Sequence, residues 1–151
     1  GLADCADPGC AAHPHCAGLT CFPFTTIDCG GSTTGTTVGG PTHVTSYPAS
    51  CGGTTSTGPE AYYLFTNTGG LFTSTVTVDL VGSGTADLEL FVVGIAGNDC
   101  DIAGQCIGSS LSSTGTEQVV FTATMGTSYY IIVDGFGGAA DAFSLSVSCA
   151  P

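Results

Sequence analysis

The sequence predicts an all-β fold, an antiparallel β-sandwich of jelly-roll-like form, and three observations predict it. β-branched and aromatic residues gather in short runs. Gly, Ser, Asn and Asp separate the runs, as strand punctuation does. Within several runs apolar and polar residues alternate with a period of two, the mark of a strand with one buried face. No amphipathic helix of useful length can be traced, so packing sheet on sheet is the remaining way to bury the apolar faces.

The elements follow in order. Residues 1–26 carry Cys5, Cys10, Cys16 and Cys21 and show neither a helical nor a strand period, so a disulfide-rich, irregular N-terminal tail or cap is expected there. Residues 27–151 form the expected sandwich domain. Within it, residues 27–58 are rich in Gly, Thr and Ser and predict short strands with long turns. Strands are then expected at AYYLFT (61–66), FTSTVTVDL (72–80), ADLELFVV (86–93), QVVFTAT (118–124), SYYIIVD (128–134) and AFSLSVS (142–148). Alternation places Phe72, Val76, Val78 and Leu80 on one face, Leu88, Leu90 and Val92 on another, and Phe143, Leu145 and Val147 on a third.

Charge is the most unusual feature. The 151 residues contain no Lys or Arg and 12 Asp plus Glu, giving a formal net charge of −12. A soluble domain normally carries ~25% charged residues of both signs. Here no carboxylate can pair with a basic side chain. Each must be solvated, hydrogen-bonded or bound to a cation. Nucleic acid is excluded as a partner, because phosphate recognition needs basic groups, and an anionic membrane surface is excluded by the same argument. No apolar run approaches the ~20 residues of a membrane-spanning helix.

The chain has 9 cysteines. In a Gly-, Ser- and Thr-rich acidic chain they point to an oxidising, extracellular setting. The expected pairs are Cys29–Cys51, Cys100–Cys106 and Cys21–Cys149, with one further pair and one orphan among Cys5, Cys10 and Cys16; many other pairings are open to the same set. An odd count leaves a free thiol, a symmetric link between copies, a metal or lipid ligand, or a partner in an upstream segment.

The stretch from Ile27 to Cys149 resembles the bacterial pre-peptidase C-terminal domain. The resemblance rests on IDCGGSTTGTT, SYPASC followed by GPEAYYLFT, ADLELFV, and the ending TATMGTSYYIIVDGFGGAADAFSLSVSC, in that order. Phe143 stands where that family usually has Tyr. The segment GLADCADPGCAAHPHC resembles the end of an acidic cysteine motif of exported bacterial surface proteins. The first resemblance implies a secreted β-sandwich, an appendage of proteases and surface proteins that does not catalyse, some members of which bind calcium.

Candidate sites follow from the acids. Calcium takes six to eight oxygen ligands, which Asp residues in Gly-rich loops supply. The candidates are Asp4 with Asp7, Asp99 with Asp101, and Asp134 with Asp141 around the GFGG turn; Asp87 and Glu89 share one strand face. The competing reading is solvated loop acids and Asx turns. Cys10, His13, His15 and Cys16 could supply zinc ligands, but His13 and His15 crowd each other across Pro14, and an oxidised tail with exposed histidines is the better reading. His43 has no assigned role. Tyr62, Tyr63, Phe65, Phe91, Tyr129, Tyr130 and Phe136 read as strand core rather than a sugar-stacking face, and Trp is absent. No nucleophile elbow, zincin helix or phosphate loop occurs, and a reactive Cys lacks the neighbouring cation that would lower its pKa. No catalytic residue is expected.

These features predict a secreted, non-catalytic structural protein at the bacterial cell surface. It would self-assemble head to tail into a fibre or layer, with structural Ca²⁺ bridging acidic loops and strand edges pairing between copies. The alternative is an accessory module of a secreted hydrolase that contacts a substrate, a cell surface or a polysaccharide.

Overall fold

The alternating and the continuous apolar runs of the sequence lie in different sheets. A computed structural model describes residues 19–151 apart from 45, 52–54, 69–71, 97–98, 103 and 105. The strands are β1 (Phe24–Ile27), β2 (Ser32–Thr36), β3 (Ala61–Thr66), β4 (Thr73–Gly82), β5 (Leu88–Val93), β6 (Ile95–Ala96), β7 (Asp99–Cys100), β8 (Cys106–Ser110), β9 (Thr116–Thr124), β10 (Ser128–Gly135) and β11 (Ala142–Ala150). A five-stranded sheet runs β1-β3-β10-β5-β8, a four-stranded sheet runs β2-β11-β4-β9, and β6 and β7 form a small ribbon.

In β4, β9 and β11 every second residue is buried. Val76, Val78 and Leu80 meet Phe121, Val119, Val147 and Leu145 in a core shared with Leu88, Leu90, Val92, Ile131 and Val133 from the five-stranded sheet. Each Leu- or Phe-sized side chain buried there stabilises the fold by about 1.5–3 kcal/mol. By contrast β5 is buried along its whole length, as is most of β10. Continuous apolar runs signal a sheet covered on both faces, and a second layer does cover this one. The described residues of 41–60 cross its outer face as a strap, and the segment at Leu19–Phe22 packs beside it. Val44, Tyr47 and Cys51 of the strap join Cys21, Phe24, Tyr62, Phe91, Tyr130 and Ile132 in a second core. Tyr47 stacks on Phe91 with ring centroids 3.7 Å apart and planes 4° from parallel.

The strand expectations hold, with differences. β1 runs parallel to β3, whereas the other pairings are antiparallel. Phe72 does not share the buried face of Val76; it precedes β4 and is 87% exposed. β1 and Cys21 lie within or across the expected tail, yet both are integrated with the five-stranded sheet.

The expected disulfide pairing is wrong at each of the three bonds. Cys21 pairs with Cys100 rather than Cys149, Cys29 with Cys149 rather than Cys51, and Cys51 with Cys106 rather than Cys29, which leaves no Cys100–Cys106 bond. The bonds join elements 79, 120 and 55 residues apart in sequence. The physical reason is the sandwich itself: consecutive cysteines sit on elements that pair with distant strands. Cys21–Cys100 fastens the N-terminal segment to β7, Cys29–Cys149 fastens the β1–β2 turn to β11, and Cys51–Cys106 fastens the strap to β8. Cys5, Cys10 and Cys16 lie outside the described residues.

The GFGG turn after β10 depends on glycine. Gly137 and Gly138 have φ of 57° and 89°, which β-carbon sterics disfavour. A β-carbon on Gly135 would collide with the Ala139 carbonyl oxygen. The strap ends on this turn, where Thr57 and Gly58 N–H both donate to the Gly135 carbonyl at 3.0 Å.

Candidate functional site

In β10 and β5, Val133 is opposite Leu90 and Asp134 is opposite Glu89. The first pair points into the inter-sheet core, so strand alternation turns the second pair outward, under the strap. Glu60 joins them where the strap enters β3. Asp134, Glu60 and Glu89 are only 0%, 1% and 2% exposed. With no basic side chain in the chain, each is held by uncharged donors. The Tyr47 hydroxyl donates to Asp134 Oδ2 at 2.7 Å, and Gly135 N–H donates to its Oδ1 at 2.7 Å. His43 and Val44 N–H donate to Glu60 Oε2 and Oε1 at 3.1 and 2.5 Å. The Ser56 hydroxyl donates to Glu89. Three carboxylates therefore tie the strap to the sheet at its beginning, middle and end.

Burial pushes the Asp134 carboxyl up to about 8; the Tyr47 and Gly135 hydrogen bonds oppose that shift, while the neighbouring Glu60 and Glu89 charges add to it. Glu89 is pushed up to about 7, first by burial and then by Asp87 and Glu117. Glu60 is raised by burial against the two backbone hydrogen bonds. Burial, and next the charge of Asp134, raises the Tyr47 phenol far beyond its ordinary range. A buried carboxyl with no cation beside it takes up a proton instead of a charge. His43, given no role from sequence, is the one described side chain able to carry positive charge. Its Nδ1 lies 2.8 Å from the Thr20 carbonyl and its ring stacks over Tyr62.

A second acidic group lies at the end of the sandwich. Glu117 accepts hydrogen bonds from the Ser110 and Ser112 hydroxyls and from Ser112 N–H. Asp87 is raised by burial and by Glu117, and its buried Oδ1 has no hydrogen-bond partner among the described residues.

Each described acid of the sequence-predicted metal pairs has hydrogen bonds of its own. Asp4 and Asp7 lie outside the described residues. Asp99 accepts from Thr20, Cys21 and Cys100 N–H at 2.6, 3.1 and 2.7 Å, so it clasps the backbone around the Cys21–Cys100 bond. Asp101 accepts from Gly104 N–H at 3.0 Å, a local turn. Asp134 is enclosed beneath the strap, whereas Asp141 borders Gly84 and accepts from Ala142 N–H at 2.8 Å. Among the described residues one group of three potential ligands converges, Cys21, Asp99 and Cys100. Its sulfurs are bonded to each other, so it does not fit a metal. No described set within one chain makes a calcium cage. Glu60, Glu117 and Tyr47 were missed from sequence. The available signal was an acid within or beside an apolar strand, as in GPEAYYLF and TEQVVF, in a chain that lacks Lys and Arg.

Of the aromatics expected in the core, Tyr62, Tyr63, Phe65, Phe91, Tyr129 and Tyr130 are buried, and Phe136 is 49% exposed. Among the described residues no helix is long and apolar enough to cross a membrane.

Two sheets face to face, three long-range disulfides and a strapped outer face define a disulfide-stapled β-sandwich module. Its fold is that of the pre-peptidase C-terminal domain. The structure of that domain from the collagenase of Bacillus anthracis superposes with a TM-score of 0.54 at 12% identity, covering 83% of this chain and 97% of that one. A periplasmic inhibitor of g-type lysozyme from Aeromonas hydrophila (TM-score 0.45, 16% identity, covering 83% and 96%) and the surface-associated copper-binding protein CorA of Methylomicrobium album BG8 (0.47, 12%, covering 85% and 98%) are more distant in shape. No family model and no curated protein matches the sequence.

Proposed function

We propose that this protein is a secreted, non-catalytic structural subunit that self-assembles at the bacterial cell surface. The observation that carries the reading is how its acids are used. The buried carboxylates Glu60, Glu89 and Asp134 and the half-buried Asp99 hold backbone and strap in place through neutral N–H and hydroxyl donors. The chemistry of the chain is spent on a durable body. Three disulfides that close long loops add to it, at roughly 2–4 kcal/mol each, and fit an oxidising compartment.

Calcium enters this reading only between copies, with each chain supplying part of a ligand set. Asp134 is too deeply enclosed for that role and Asp99 is committed to backbone N–H groups. Asp101 and Asp141, with Asp4 and Asp7, remain the candidates for a head-to-tail bridge. The test is electron microscopy and light scattering of the purified protein with calcium and with a chelator. Calcium-dependent filaments or sheets are expected. A protein that stays monomeric at high concentration in both conditions removes the structural reading.

The second reading, an accessory module of a secreted hydrolase contacting a substrate or surface, is favoured by the shared fold with a collagenase domain. It predicts a monomer that binds an insoluble extracellular polymer.

A further inference from the structure

The four-stranded sheet has no strap. Its outer face consists of every second residue of β2, β11, β4 and β9, and these are mostly Thr or Ser. The register sets them in rows: Ser32, Ser146, Asp79 and Gln118 in one, and Thr34, Ser144, Val81 and Thr116 in the next. Asp79 is the only ionisable residue among them, and its Oδ1 accepts a hydrogen bond from Gln118 at 2.7 Å. All other described acids of this −12 chain lie elsewhere. Large exposed apolar side chains gather here instead. Val81 and Val120 project from the face at 49% and 55% exposure, and Phe72 and Met125, 87% and 47% exposed, adjoin its end.

We propose that this face is the contact surface for a second copy of the same chain. The inference rests on the self-assembly reading above and adds to its calcium-bridged head-to-tail contact a second, two-fold contact between copies. Three arguments select a second copy. Without a bridging cation, two like-charged molecules that have no Lys or Arg touch closely only where carboxylates are sparse, and this sheet face carries one, Asp79. A hydroxyl both donates and accepts, so a face of hydroxyls complements itself, as a two-fold contact requires. Strands about 4.8 Å apart, three of them about 30 Å long and β2 about 17 Å, present about 540 Å², about two-thirds of the ~800 Å² per partner of a specific interface. A polysaccharide partner would call for an aromatic platform, which the strands of this face do not provide. A basic partner would be drawn to the acids on the other surfaces.

The contact is self-limiting in charge. Asp79 lies inside the face, so a two-fold arrangement brings two Asp79 side chains into the same interface. Salt therefore strengthens association by screening the net repulsion, the opposite of its effect on binding to a basic partner.

The experiment is sedimentation velocity of the intact disulfide-bonded protein, in a chelator and in calcium, across protein concentration and salt. The variants are Asp79→Asn, Thr75→Glu, Thr122→Glu and, away from the face, Thr26→Glu, with circular dichroism to confirm folding. The expected result is a reversible wild-type dimer favoured by salt. Asp79→Asn tightens it several-fold, Thr75→Glu and Thr122→Glu weaken it by about tenfold or more, and Thr26→Glu changes nothing. If wild type associates and both face variants associate equally well, this surface is wrong while self-assembly stands. A wild type that is monomeric throughout, with and without calcium, overturns both. If wild type instead shifts only on adding dextran, and the face variants do not, the surface belongs to a carbohydrate and the proposal falls.

Discussion

Replacing Asp134 with Asn isolates the largest electrostatic burden in the fold. The side chain is 0% exposed, and its carboxyl is raised from the ordinary 3.8 to about 8. Below about pH 4 folded and unfolded chains both hold the proton, and the full stability is present. As pH rises from there the unfolded chain releases its proton and the folded chain does not. Stability therefore falls, by up to ~1.4 kcal/mol per pH unit, until the folded group also ionises near 8. The whole window amounts to about 6 kcal/mol, against 5–15 kcal/mol for the net stability of a typical domain. Asn mimics the protonated acid: its carbonyl still accepts from Tyr47, and it cannot ionise. The assay is denaturant unfolding with disulfides intact, at about pH 4, 6 and 8. Wild type should lose stability steadily across that range and the Asn variant less, keeping the part of the fall that comes from Glu89 and Glu60, so the two curves converge in acid and diverge toward pH 8. A wild-type midpoint that is level or rises over the window would refute the reasoning. So would an Asn variant with the same fall.

Peptic mapping without reduction should recover peptides joined through Cys21–Cys100, Cys29–Cys149 and Cys51–Cys106; trypsin is no use on a chain without Lys or Arg. Replacing Cys29 and Cys149 together with Ser should cost about 2–5 kcal/mol, measured by the same unfolding curves. Gly135→Ala should destabilise by about 2 kcal/mol or more, because the new methyl meets the Ala139 carbonyl and disturbs the turn that anchors the strap; in thermal melts that is a fall of about 4 °C or more. Calcium at a hundredfold excess over its dissociation constant should add about 2.7 kcal/mol to the assembled state, and identical melts in calcium and in chelator at high protein concentration would remove the cation from the proposal.

What the sequence determined was local. Alternation in FTSTVTVDL, QVVFTAT and AFSLSVS fixed which side chains of β4, β9 and β11 point inward, because a strand reverses its side chains at every residue. The runs LELFVV, apolar but for Glu89, and YYIIV carried a further message, that their sheet is covered on both sides, and the strap formed by the described residues of 41–60 is that cover. The absence of Lys and Arg determined that every buried acid must take neutral donors. Tertiary structure decided the rest, because it depends on which distant segments meet. Nothing in the spacing of cysteines tells that Cys29 finds Cys149 across 120 residues; the sheet order does. From sequence Asp134 ended the expected strand SYYIIVD and, with Asp141 across the GFGG turn, was a calcium candidate. It is a strand residue facing Glu89, and only the strap makes its environment dry enough to hold a proton at neutral pH. The Thr and Ser positions of β2, β4, β9 and β11 are unremarkable one strand at a time. They become one nearly uncharged surface because the fold sets the four strands side by side in register, a nonlocal arrangement that no single stretch of chain encodes.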